Sequence, residues 1–266
     1  MTKYKKTAIL LVLTITNFTV ACKKDADKKT TAPDVEKPGA VIEEKLLLPI
    51  QLGSGNSKIT FSYLENHSIS KIEYADGKTT VMRYNTLGRP VALMRYKNDE
   101  LYAETDYRYD QNGLLIKGTK ISVDGIDFHP SGYFTLVYNS DSQLATINYF
   151  NVDDKLTDTQ QRSYNTAGIL VTDKSNTASL MVNYVYDEKN GLFKNAKYGW
   201  LLALEQENLL FLSSANNIRT VSYPMKTEMN ANYSYTYNAS NYPETITITL
   251  NGKATAYKVS YKEISK

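Results

Sequence analysis

From residue 58 to residue 262 the chain alternates apolar and polar positions with a period of two. Ile59, Phe61 and Tyr63 share one face against Lys58, Thr60 and Ser62. Leu180, Val182, Tyr184 and Tyr186 share another, as do Tyr233, Tyr235 and Tyr237. Ile246, Ile248 and Leu250 stand against Thr245, Thr247 and Thr249, and Tyr257, Val259 and Tyr261 against Lys258, Ser260 and Lys262. Successive strand side chains point to opposite faces, so this pattern predicts half-buried strands with one face in a core. Tyrosine and β-branched residues suit such a surface. Asp76-Gly77, Asn112-Gly113, Asp124-Gly125, Asn190-Gly191 and Asn251-Gly252 supply the positive backbone angles of tight hairpin turns.

The alternation is organised by a repeat: a tyrosine, a few turn residues, then an apolar strand. It is written at Tyr63, Tyr84, Tyr109, Tyr138, Tyr164, Tyr186 and Tyr237, with Leu212-Ser-Ser-Ala-Asn-Asn-Ile218 as a degenerate copy. The spacing averages roughly 25 residues, enough for two strands and two turns. Consecutive strands then pair antiparallel without crossovers. The expected fold is all-β: an antiparallel meander of roughly 16 strands running from Ile59 to about Tyr261, with a short helical or coil insert. A sheet of that width does not stay flat, so it is expected to be curled or barrel-like.

The first residues have a different character. Lys3, Lys5 and Lys6 precede the apolar run Ala8 to Val20, and Ala21-Cys22 follows. This is the pattern of a secretory signal, too short to span a membrane. The segment resembles a bacterial lipoprotein signal, which implies lipidation of Cys22. Thr19 stands where that signal usually has leucine. Residues 1–21 are thus read as signal peptide, 22–44 as lipidated cysteine and flexible tether, and 45–266 as one β-domain. The tether is Lys, Asp, Thr, Pro and Gly with little to bury. Without the three lysines of the signal, 28 basic and 28 acidic residues remain, which leaves no basic footprint for nucleic acid. Cys22 is the one cysteine of the chain, so no internal disulfide forms.

Tyr84-Asn85-Thr86-Leu87-Gly88-Arg89-Pro90-Val91 and Tyr109-Asp110-Gln111-Asn112-Gly113-Leu114 resemble units of tyrosine–aspartate (Rhs-type) repeats. Taken with the lipobox, the charged tether, Asn190-Gly191-Leu192-Phe193-Lys194-Asn195 and the tyrosine-rich last strands, the chain resembles a family of Bacteroidota lipoproteins with a porin-like fold. The resemblance implies a meander curled toward a barrel and an outer-membrane lipoprotein on either the periplasmic or the surface side. It implies no activity.

Residues that carry chemistry are sparse. His67 and His129 lie in turn-like sequence, the latter before Pro130-Ser131-Gly132, and neither has metal-ligand spacing. Asp153, Asp154 and Asp158, or Asp124 with Asp127, could take calcium but lack a known ligand pattern. There is no nucleophile elbow and no phosphate-binding glycine loop. No cofactor or metal is expected. The reading is a non-catalytic binding or scaffolding module, membrane-attached through its lipid, with a glycan or envelope protein as partner. The alternative is a glycan-active enzyme with two carboxylates about 5–10 Å apart on the curled sheet, one raised in pKa. The 22 tyrosines read as core and cross-strand ladder, or as a platform for a sugar or a partner.

One stretch breaks the alternation. Tyr198 to Leu212 is rich in Leu, Ala, Glu and Gln and holds the only Trp. Either it is a pair of buried strands turning at Glu205–Asn208, or it is a helix or coil packed inside the sheet. The second fits the size, because roughly 16 strands enclose a lumen too wide for their own side chains to fill. Trp200, Leu201, Leu204 and Phe211 are then plug residues, all buried, or a partner-binding patch if they are exposed.

Overall fold

The computed structural model describes residues 46–177, 180–205 and 207–264. Residues 1–44, read above as signal, Cys22 and tether, lie outside the described residues. Sixteen strands follow one another along the chain. β1 to β4 are Leu46–Leu52, Ile59–Tyr63, Ile69–Tyr74 and Lys78–Tyr84; β5 to β8 are Pro90–Lys97, Glu100–Tyr109, Leu115–Asp124 and Asp127–Tyr138. β9 to β12 are Leu144–Phe150, Leu156–Tyr164, Leu170–Ser175 and Leu180–Tyr186; β13 to β16 are Ile218–Ser222, Ala231–Tyr237, Pro243–Leu250 and Lys253–Ile264. Each pairs antiparallel with its sequence neighbours, and β1 pairs with β16, so the sheet closes into a barrel. One short helix, α1 (Gly199–Leu204), and three single 3-10 turns complete the described chain. β1 begins thirteen residues before the first strand the alternation showed. Its sequence, Leu-Leu-Leu-Pro-Ile-Gln-Leu, does not alternate, and it is the strand that completes the ring.

The repeat has a mechanical explanation. At one end of the barrel the residue after five of the repeat tyrosines closes the turn with its side chain. Asn85 Oδ1 accepts from the backbone N–H of Leu87 and Arg89, and Asp110 Oδ1 from those of Asn112 and Leu114. Asn139, Asn165 and Asn238 do the same two and four residues on. Asn and Asp place an acceptor at that reach more effectively than Ser or Thr, which is why the motif reads Tyr-Asn or Tyr-Asp. The position three after the Asx residue has positive φ, and is Gly88, Gly113 or Gly168 in three of these turns.

The tyrosines lock neighbouring hairpins to one another. Tyr84 Oη donates to the Ile69 carbonyl at 2.6 Å, Tyr109 to Pro90 at 2.7 Å, Tyr138 to Leu115 at 2.9 Å and Tyr164 to Leu144 at 2.8 Å. Tyr235 donates to Ile218 at 2.6 Å, Tyr261 to Pro243 at 2.8 Å and Tyr63 to Pro49 at 2.7 Å. In each case the acceptor starts the preceding strand or lies at a bulge in it, so its carbonyl is free of a regular ladder bond. Tyr109→Phe removes one such donor from a half-buried carbonyl. The expected cost is about 0.5–1.5 kcal/mol, read as a shifted urea midpoint with unchanged slope; an unchanged midpoint would mean the hydroxyls are ornamental.

The inner face is the core. Phe61, Ile72, Met82, Leu93, Phe134, Ile147, Val221 and Ile246 are buried on it. Gly118 sits under the Phe134 ring, where a Cβ would come within 2.1 Å of the ring, so the ring takes the space a side chain would need. The outer face is polar and charged at mid-strand: Lys71, Glu73, Arg83, Glu104, Arg108, Lys174 and Lys258 lie on it. A lipid-facing wall would need an apolar band there. Two turn expectations change. His129-Pro130-Ser131-Gly132 lies within β8, where the register shifts against β7 and the missing N–H of Pro130 is tolerated. Leu212 ends no strand; it lies in a 3-10 turn of the insert, and Ile218 opens β13.

Candidate functional site

The insert, residues 187–217, is spliced into one Asx turn. Asp187 follows Tyr186 and its Oδ1 accepts from the Lys189 N–H at 3.0 Å, as in the other turns. The second bond, however, comes from the N–H of Asn217, also 3.0 Å, thirty residues on. The turn is thus opened without losing its hydrogen bonds, and the excess chain passes into the lumen.

At the entry the insert ties to the turn end of the barrel. Asn195 Nδ2 donates to the Leu47 carbonyl and to Tyr242 Oη, both at 2.9 Å, and Tyr198 Oη donates to the Gly88 carbonyl. α1 then buries Leu201, Leu202 and Leu204. Beyond it Arg95, on the inner face of β5, holds two carboxylates of the insert: Nη2 to Glu205 Oε2 at 2.9 Å and Nε to Glu207 Oε1 at 2.6 Å. Burial works against the Arg95 charge, but Glu205 and Glu207 outweigh it and keep the guanidinium charged. Tyr107 Oη adds a bond to Glu205, and Thr80 Oγ1 one to Glu207. A buried ion group so fully partnered fixes position more than it adds stability. On the return, Phe211 packs between Phe61 and Phe193, with centroids 6.1 and 4.6 Å away.

Leu201, Leu204 and Phe211 are therefore buried in the lumen, at 0%, 4% and 1% exposure. Trp200 is not: it is 40% exposed, against the expectation of burial. In a six-residue helix, successive side chains fan out by about 100° each. Leu201, Leu202 and Leu204 occupy the core side, and Trp200 falls on the other.

The insert does not fill the lumen evenly. Two residues before each strand-end tyrosine, an inner-face pair forms a ring of eight at one level. Seven pairs are uncharged: Phe61–Ile72, Met82–Leu93, Tyr107–Gly118, Leu136–Ile147, Tyr184–Val221, Tyr235–Ile246 and Val259–Leu52. The eighth is Arg162–Asp173. Here Arg162 Nε donates to Asp173 Oδ2 at 3.1 Å, with side chains only 9% and 14% exposed. One rung further along, Gln160 faces Ser175. These four polar side chains form one wall of a cavity of about 350 Å³. Ala203, Leu204, Leu209 and Leu212 of the insert face them, and Tyr223 and Met229, from the β13–β14 connection, stand at the side. Of the residues expected to matter, only Leu204 lines this cavity.

Asp173 in the cavity wall and Asp158, bonded to the wall residue Ser175, are both engaged. Burial pushes the Asp173 carboxyl up against the pull of Arg162. Asp158 is also desolvated, but bonds from Thr177 N–H and Ser175 Oγ hold it below the usual range. Asp173 is thus committed to Arg162, and Asp158, filled with hydrogen bonds from Thr177 and Ser175, is a poor nucleophile. Among the described residues no group of three His, Cys, Asp or Glu is placed to hold a metal ion. Asp124 and Asp127 face each other at the β7–β8 tip, and Asp153 and Asp154 lie in the β9–β10 connection. His67 sits at positive φ in the β2–β3 turn.

No protein-family model matches the chain, and no curated protein does. Among solved structures, a porin-like protein from Bacteroides uniformis is similar at 15% identity, covering 83% of this chain and 97% of that one with a TM-score of 0.38. A porin-like protein from Bacteroides vulgatus is similar at 12% identity, covering 81% and 99% with a TM-score of 0.38. The Photorhabdus luminescens Tc holotoxin pore is similar at 12% identity over 71% of this chain and 10% of that one, with a TM-score of 0.30.

Proposed function

We propose that this chain is a non-catalytic binding or scaffolding module of the bacterial outer membrane, attached by lipid on Cys22. The observation that carries the reading is the inversion of the barrel: charged side chains at mid-strand on the outer wall, and an inner apolar core packed against the chain's own insert. Such a barrel is expected not to conduct, and charge at mid-strand interrupts the band a lipid-facing wall would need. Its attachment to a membrane therefore falls to the segment before the domain, where the lone cysteine ends an apolar run. The barrel offers a rigid frame for a glycan or envelope-protein partner.

Expression in a lipoprotein-processing bacterium, with Cys22→Ser beside the wild type, tests the anchor. The wild type is expected in the membrane fraction, released only by detergent. The variant should keep its uncleaved leader or lose the lipid mass. Equal solubility and equal processing of the two would overturn the anchoring.

A further inference from the structure

We propose that the lumen cavity beside Arg162 and Asp173 binds a small uncharged molecule with an apolar body and one polar edge that both donates and accepts hydrogen bonds, such as a carboxamide. The inference rests on the reading of the chain as a binding module and gives that reading a site and a ligand class.

Three observations lead there. The first is the repeat itself. Around the ring of eight inner-face pairs, seven are uncharged, and the sheet closes equally well on them. Arg162 and Asp173 are not needed to build a hairpin, and an ion pair in an apolar lumen does not by itself stabilise a fold. The second is the contrast with Arg95. That arginine is matched by two carboxylates of the insert, so its charge holds the plug in place. Arg162 has its partner on the adjacent strand, and the insert answers it with Leu204, Leu209 and Leu212 instead. The third is the space. The insert stops short of this wall and leaves about 350 Å³, within the range of small-molecule sites.

The lining selects the ligand chemistry. Arg162 and Asp173 are the charged groups of the cavity wall and they cancel. A ligand with net charge would enter a low-dielectric space with no surplus counter-charge. An uncharged amide group instead presents an acceptor to the outer N–H groups of Arg162 and a donor to Asp173 or Gln160 at once. Its apolar body lies on the leucines of the insert, between Tyr184 and Tyr223.

The test uses the folded mature chain and two near-isosteric probes, cinnamamide and its anion cinnamate, titrated at neutral pH with binding read by calorimetry and by chemical-shift change. Cinnamamide is expected to bind about tenfold more tightly than cinnamate, the ratio of roughly one unmatched polar group. The double variant Arg162→Leu, Asp173→Ile copies the Leu136–Ile147 pair of the preceding hairpin and should fold with undiminished thermal stability while losing cinnamamide binding. Leu209→Trp, which fills the cavity from the other side, should abolish binding without touching the ion pair. Equal or tighter binding of cinnamate, or cinnamamide binding that survives both variants, would overturn the proposal. So would a cavity that takes neither probe, and if the Cys22 anchor still held, that result would leave the membrane-attached module standing without this ligand class.

Discussion

Phe211→Ala is expected to destabilise the barrel by about 3–5 kcal/mol. The ring is 1% exposed and lies between Phe61 on the wall and Phe193 at the entry of the insert. Neither neighbour can follow it if it is truncated. Phe61 is held in β2 by pairing with β3, and Phe193 by a backbone bond from its N–H to the Ser213 carbonyl. A cavity therefore remains, and its size sets the penalty beyond the lost transfer energy. A domain stable by only about 5–15 kcal/mol would lose a large part of that margin. Trp200→Ala is the companion measurement. That side chain is 40% exposed and outside the core, so its removal should cost less than about 1 kcal/mol. Urea unfolding of the two variants should separate them clearly. A small loss for Phe211→Ala would mean that the insert merely rests in the lumen.

The barrel should also unfold cooperatively in alkali. Burial raises tyrosine after tyrosine above the ordinary value of 10.0: Tyr138, Tyr149 and Tyr233 are pushed up to about 12, and Tyr63, Tyr84, Tyr235 and Tyr261 higher still. The folded state thus keeps protons that the unfolded chain gives up from about pH 10. Stability is intact below that pH and falls as the pH rises toward 12 and beyond, because the folded state binds more protons there. The Tyr63, Tyr84, Tyr138, Tyr235 and Tyr261 hydroxyls also donate to backbone carbonyls, and a phenolate cannot. Phenolate absorbance and the far-ultraviolet sheet signal, followed together with rising pH, should change in one steep step. Tyrosines that titrate gradually near pH 10 with the sheet intact would contradict the network.

Much of this fold is written in the chain itself. The period-two alternation and the Tyr-Asn or Tyr-Asp turns specify the strands, because an Asx side chain at that position closes the turn locally. Closure of the sheet is less visible. It depends on β1, whose Leu46–Leu52 sequence is apolar on both faces and carries no tyrosine of its own. Leu212 mimics a strand end because Asn216 and Asn217 follow it, yet Asn217 serves the distant Asp187. The helix is legible from composition, but not its phase. With only six residues and no cap, the side that faces the wall is decided by tertiary packing, and Trp200 ends up outside. The cavity was legible in principle. Aligning the repeats on their tyrosines puts Arg162 where the other hairpins carry Phe, Met, Leu, Val or Tyr, and pairing it with Asp173 then needs only the hairpin register.

The barrel keeps its apolar face inside and packs its own chain against it. The direct measurement is the behaviour of residues 45–266 purified without detergent and then added to a planar lipid bilayer. A monodisperse, sheet-rich monomer that gives no conductance is the predicted result. Aggregation relieved only by detergent, followed by discrete conductance steps in the bilayer, would contradict it.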